Sequence, residues 1–376
     1  MADQPNAHSP RSATRSRAGL SRRAFLAAAT RVSAGFAAAG AVIPRRLASA
    51  QGAGQVIVRA LGGAHLAAVD KAIFKPFTEA TGIQVVPVPS VAAQVLAQVQ
   101  AGRAQLDVLD VGEVSMMYLE KNGALEPIPY DRFKLTNPQD IYPAMRRPRM
   151  LGNVYAATVL VYNPQVFKPG SHPRSWADFW NAEKFLGPRT LADAKTGSGA
   201  EMEFALLADG APMNKLYPVD LDRAFNSLTR IKPHIVKWWE TGPMSSELLE
   251  RKEVVLGGLW NGRAQDLIDK GAPLAIEWNQ AKRLRQFYGL VKGAPNRENA
   301  VKFLDFALQP KIQAEVTRYI AYGPTNRQAH QYVRPEDAVK LPSTPAHFDV
   351  GFDQDGDWWA ENLPKVTERW QTWVLR

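Results

Sequence analysis

Trp260-Asn261-Gly262-Arg263 puts an aromatic face, an amide, a turn residue and a guanidinium at the end of an apolar run, Val254 to Leu259. A strand that stops on such groups and turns into a helix is how open α/β sheets line a ligand crevice. The alternative is a core strand whose Trp only packs. Other expected strand ends carry similar groups. Gly62-Gly63-Ala64-His65 follows one apolar run, where glycine lets backbone approach a ligand and His65 is either a contact or a helix-end histidine. Asp110 and Glu113 close another run, and carboxylates there take a cationic group or cap the next helix. Asp193 precedes Thr196-Gly197-Ser198-Gly199, a turn whose backbone N–H groups suit an anion if a helix follows; Ser198 equally reads as a plain N-cap. Of Trp238 and Trp239, one belongs in a core and one nearer a cleft. Arg263, with Lys282, Arg283 and Arg285 further on, offers forked donors for a carboxylate, unless the last three are a solvated helix face.

Other chemistry is not supported. The chain has no Cys and no H-E-x-x-H, G-x-S-x-G or G-x-G-x-x-G. Five His follow residue 50 and no two have ligand spacing, so neither a metal, a cofactor nor an enzyme is expected. The net charge of +10 points to nucleic acid only until its location is read. Removing the eight Arg and Asp3 of residues 1–50 leaves 38 basic and 35 acidic residues, a net +3. The first 50 residues run from a basic segment through Ser21-Arg22-Arg23-Ala24-Phe25-Leu26 and an Ala/Gly-rich stretch to Ala48-Ser49-Ala50. That order resembles a twin-arginine export signal cut after Ala50, which predicts a periplasmic protein that binds no nucleic acid.

The elements that must position these residues alternate. An apolar run from Gln55 to Leu61, a helical pattern from Leu66 to Thr81, a strand from Ile83 to Val88 and a helix from Val91 to Gly102 lead to a strand at Leu106–Val111. The same grammar recurs from Val154 to Leu259, and two helical segments follow around Pro310. Strand–helix alternation at this spacing predicts α/β architecture with parallel strands under covering helices.

The ordered pieces Gly123-Ala-Leu-Glu-Pro127, Tyr162-Asn163, Ser175-Trp176, Gly257-Gly258-Leu-Trp-Asn-Gly262, Lys292-Gly-Ala-Pro-Asn296 and Tyr322-Gly-Pro-Thr-Asn326 resemble the periplasmic solute-binding proteins of ABC importers, spermidine/putrescine-binding type. The resemblance implies a type II two-lobed α/β fold, with two parallel or mixed sheets flanked by helices and joined by hinge strands. Lobe 1 would comprise residues 51–160 and 290–325, lobe 2 residues 161–289, and residues 326–376 a helical extension packed on the body. It implies a monomer that captures a small organic solute, polyamine-like or a related nitrogenous compound, and hands it to permease subunits. Trp260 would stack on the ligand and Tyr322 would wall the site. This chain departs from a polyamine pattern. Gln286 stands where the family has an aspartate and Leu284 where it has a tryptophan, with cations nearby. A carboxylate-bearing or zwitterionic solute is the alternative; an exported enzyme or a sensor on the same lobes is a further one. The candidate contacts are Gly63, His65, Asp110, Glu113, Asp193, Thr196, Ser198, Trp239, Trp260, Arg263, Gln286 and Tyr322.

Overall fold

The computed structural model describes residues 54–60, 62–168, 170–196 and 201–376. The expected leader and the Gly197-Ser198-Gly199 turn lie outside them. The strands among the described residues are β1 (Gln55–Arg59), β2 (Gln84–Val88), β3 (Val108–Gly112), β4 (Leu125–Glu126), β5 (Leu151–Tyr162), β6 (Arg189–Ala192), β7 (Ile235–Trp239), β8 (Leu256–Trp260), β9 (Ala275–Val291), β10 (Gly323–Pro324) and β11 (Phe352–Asp353). Hydrogen bonding runs in the order β2-β1-β3-β9-β5-β8-β6-β7, with β10 on β5 and with β4 and β11 on β9.

The end strands pair parallel, β1 with β2 and β3, and β6 with β7 and β8. The middle is antiparallel, β3 with β9, and β5 with both β8 and β9. Parallel ends under helices follow from strand–helix alternation, because a parallel crossover needs a covering helix. The sequence predicts two sheets; the structure joins them, because β5 and β9 are 12 and 17 residues long and belong to both halves. The segment carrying Lys282, Arg283 and Arg285 is therefore strand, not a solvated helix face.

The apolar side chains gather at the two ends of this sheet. One core holds Val58, Phe77, Leu109, Phe287 and Phe303. At the other end, Trp176, Phe179, Phe204 and Leu228 pack with Trp359 and Trp370, while Val159, Trp239 and Leu259 fill a third cluster. Between the ends the β5–β9 register breaks. Thr158 pairs with Lys282 but Leu160 pairs with Glu277, so Val159 alone faces the bulge Trp278–Ala281. Gln280 in that bulge adopts φ +61°, held by its own N–H to Val350 O and by two bonds it accepts from Trp176.

The helix expected over 66–81 forms in three parts. A wide turn at Asp70–Phe74 separates Ala64–Val69 from Lys75–Thr81. Pro76 accounts for the interruption, since it has no N–H for the preceding turn and its ring crowds the carbonyl four residues back.

Candidate functional site

A cavity of about 230 Å³ opens where β1, β3, β8 and β9 end or pass. Trp260, last residue of β8, presents its half-buried indole there, backed edge-on by Trp239 at 5.1 Å. The helix Asn261–Asp269 begins directly after Trp260, so Gly262, expected as a turn residue, lies in its first turn. Asn261 is a pin: its Oδ1 accepts from Ala157 N–H at 2.9 Å, and its Nδ2 donates to Ala321 O. Tyr322 completes this aromatic side of the wall, its phenol pKa raised by burial.

The polar side of the wall is built on β1, β3 and β9. Arg59 ends β1 and lines the cavity. Its Nε donates to Ser90 O at 3.1 Å and its Nη1 to Asp110 O at 2.7 Å, which aims the guanidinium through neutral carbonyls. Among the described residues no carboxylate pairs with it in a salt bridge. Burial lowers its pKa and the nearby Asp110 charge counters that. Glu113 opens the helix Glu113–Lys121 and is shared, Oε1 taking Arg147 Nη2 and Oε2 taking Arg285 Nε, both at 2.9 Å. Burial raises its pKa and the two arginines pull it back.

Behind this wall Asp110 accepts from Asn153 Nδ2 at 2.7 Å and from Gln286 Nε2, and faces His65 at 3.9 Å. His65 is buried and its pKa is lowered, first by burial, with Asp110 opposing and Arg263 and Arg59 adding to it. It borders a second cavity of about 10 Å³ with Asn153 and Tyr288, which is room for roughly one water and no solute.

Of the residues expected to hold a ligand, Glu113, Thr196, Trp260, Gln286 and Tyr322 line the one cavity. Ser198 lies outside the described residues. Gly63 and Arg263 meet each other instead: a Cβ on Gly63 would stand 2.6 Å from Arg263 Nη1. Arg263 is buried, its Nη2 donates to Gly62 O at 2.7 Å, and its Nε has no partner. Asp110 and His65 sit behind the wall. Asp193 is occupied within the protein, accepting from Lys195 N–H and Trp370 Nε1. Trp239 is core, its Nε1 bonded to Gly258 O. Lys282 is sealed between Glu201 and Glu203, and Arg283 pairs with Asp353.

Sequence reasoning missed Arg59 as a wall residue. With the first strand drawn to Leu61, Gly62 and Gly63 became its end; the strand stops two residues earlier, so the same rule about strand ends selects Arg59. Gln354 also lines the cavity and had no local signal, because it arrives from the C-terminal segment.

Residues 72–346 match the family model described as bacterial extracellular solute-binding protein. The gamma-aminobutyric acid-binding protein of Pseudomonas aeruginosa is 32% identical over 337 residues, 88% of this chain and 94% of that one. The spermidine/putrescine-binding periplasmic protein of Escherichia coli is 28% identical over 249 residues, covering 64% and 68%. Among solved structures, the binding protein AgtB of A. tumefaciens R10 in complex with agropinic acid superposes with a TM-score of 0.78 at 30% identity, over 86% of this chain and 99% of its own.

Proposed function

Since the chain belongs to the bacterial extracellular solute-binding proteins, we propose that its cavity captures a small nitrogenous solute bearing a carboxylate, of the ω-amino acid class, for an ABC importer. One observation carries the choice of charge. Arg59 faces the cavity with no carboxylate among the described residues paired to it, while Glu113 already serves two arginines. A polyamine needs carboxylates to spare, and Glu113 has none unengaged. A ligand carboxylate takes the guanidinium fork of Arg59. Trp260 and Tyr322 cover the aliphatic stem, and the ammonium lies against the Trp260 face. The gamma-aminobutyric acid-binding relative is the comparison that supports this reading best.

The rest of the notion follows the fold. The cores at the two ends of the sheet serve as lobes, residues 51–160 with 290–325 and residues 161–289, and close about the β5–β9 crossing. Permease subunits recognise the closed form. Residues 1–50 act as a twin-arginine leader cleaved after Ala50, delivering a monomer to the periplasm. Calorimetric titration with γ-aminobutyrate, putrescine and spermidine tests the ligand class. Binding of γ-aminobutyrate without the polyamines is the expected result, and the reverse order refutes the carboxylate reading. In a melt, ligand at a hundredfold excess over Kd adds about 2.7 kcal/mol of stability.

A further inference from the structure

The C-terminal helix, Gly356–Val374, starts at the cavity wall. Gly356 packs on the Glu113 carboxylate so closely that a Cβ there would stand 2.5 Å from Cδ and 2.7 Å from Oε2. Two residues earlier, Gln354 lines the cavity; its N–H donates to Arg283 O at 3.1 Å and its carbonyl accepts from Arg285 Nη2 at 3.3 Å. Asp355 caps the helix by accepting from Trp358 N–H. The helix then crosses to the other core, where three indoles anchor it: Trp359 to Glu203, Trp370 to Asp193 and Trp373 to Thr229. Asp193 also holds Lys195 N–H, and Lys195 and Thr196 belong to the cavity wall. One helix thus reaches the wall from both sides.

We infer that the C-terminal helix is a positioning element of the ligand site, with Gly356 as the contact that fixes Glu113 and, through it, Arg285. Two arginines hold the Glu113 carboxylate on one side and the backbone at 356 closes the other. A side chain at 356 pushes the carboxylate off Arg285 Nε, and the guanidinium in the cavity wall loses its place. The inference rests on reading this cavity as the solute site.

The test is a double-mutant cycle of Gly356→Ala and Glu113→Asp in the full protein, read by γ-aminobutyrate affinity and by the unfolding midpoint without ligand. Alanine is the better helix former, so helix propensity alone raises the midpoint of G356A. The contact instead predicts a lower midpoint and a loss of affinity of roughly tenfold, a charge-assisted hydrogen bond being worth that order. Aspartate at 113 shortens the side chain and makes room, so the double variant recovers part of the G356A loss. Multiplicative affinities together with additive midpoints overturn the inference, as does a raised midpoint in G356A. Should the wild type ignore γ-aminobutyrate, the ligand reading fails by itself, and the ligand-free cycle still decides whether residue 356 sets Glu113.

Discussion

Two groups of buried charge lie three residues apart on β9, and they are built differently. At Lys282 the ammonium sits between Glu201 at 2.7 Å and Glu203 at 3.2 Å, and Glu203 also accepts from the Tyr217 hydroxyl and the Trp359 indole. Burial opposes the charge on Lys282 and the two carboxylates overcome it, holding its pKa above the ordinary value. That group is closed on itself. At Arg285 the guanidinium shares Glu113 with Arg147, faces a cavity, and stands in one wall with Arg59, to which no carboxylate among the described residues is paired. Its excess is positive and opens on space. A charge group sealed on its own partners serves the fold, whereas a positive excess beside a cavity is completed from solution.

Lys282→Met should have the largest effect on stability, because it strands two carboxylates in the interior. About 3–5 kcal/mol is expected from urea unfolding. A loss under 1 kcal/mol would place Lys282 in solvent and collapse the distinction between the two groups. Arg59→Met should do the opposite. Affinity for γ-aminobutyrate should fall by one to two orders of magnitude, as for a charged hydrogen-bond partner worth about 1.5–3 kcal/mol, while stability falls by less than for Lys282→Met, through the bonds to Ser90 O and Asp110 O. Trp260→Leu comes next, since it keeps apolar volume but removes the ring face; a fall of roughly tenfold is expected in the same titration. Equal affinity for Trp260→Leu and wild type would leave the aromatic side as wall only.

The fold was legible where local pattern and tertiary role agree. Alternating apolar runs and helix stops marked most elements within a few residues, and the ordered pieces from Gly123 to Asn326 located the architecture. The cavity was half legible. Trp260 ends a strand and Glu113 starts a helix, and a strand-end rule finds such residues; Tyr322 came from the family resemblance alone. Arg59 escaped because strand boundaries blur by a residue or two. Gln354 and Gly356 escaped for a stronger reason: they reach the wall through a tertiary path of more than sixty residues from Gln286, which no local spacing encodes. The cations at 282–285 looked alike in sequence. Only packing separates Lys282, sealed with two glutamates, from Arg285, exposed to the cavity.

The smallest effect sharpens how far the positive excess extends behind the wall. His65 is faced by Asp110, Arg59 and Arg263, with Gln286 and the Tyr322 ring beside it. Burial, reinforced by the two arginines, depresses its pKa below 6.5 in spite of Asp110. The unfolded chain therefore takes up this proton first as pH falls through 6.5, and the folded state loses stability until His65 itself titrates. One such proton is worth at most about 1.4 kcal/mol per pH unit. Urea unfolding between pH 7.5 and 5 should thus fall more steeply for wild type than for His65→Gln. His330 and His347, also depressed by burial, cancel in that difference. A wild type that instead gains stability relative to His65→Gln as pH falls would mean that Asp110 outweighs burial and both arginines together. The wall would then have a negative base beneath Arg59, and the case for a carboxylate ligand would lose its electrostatic footing.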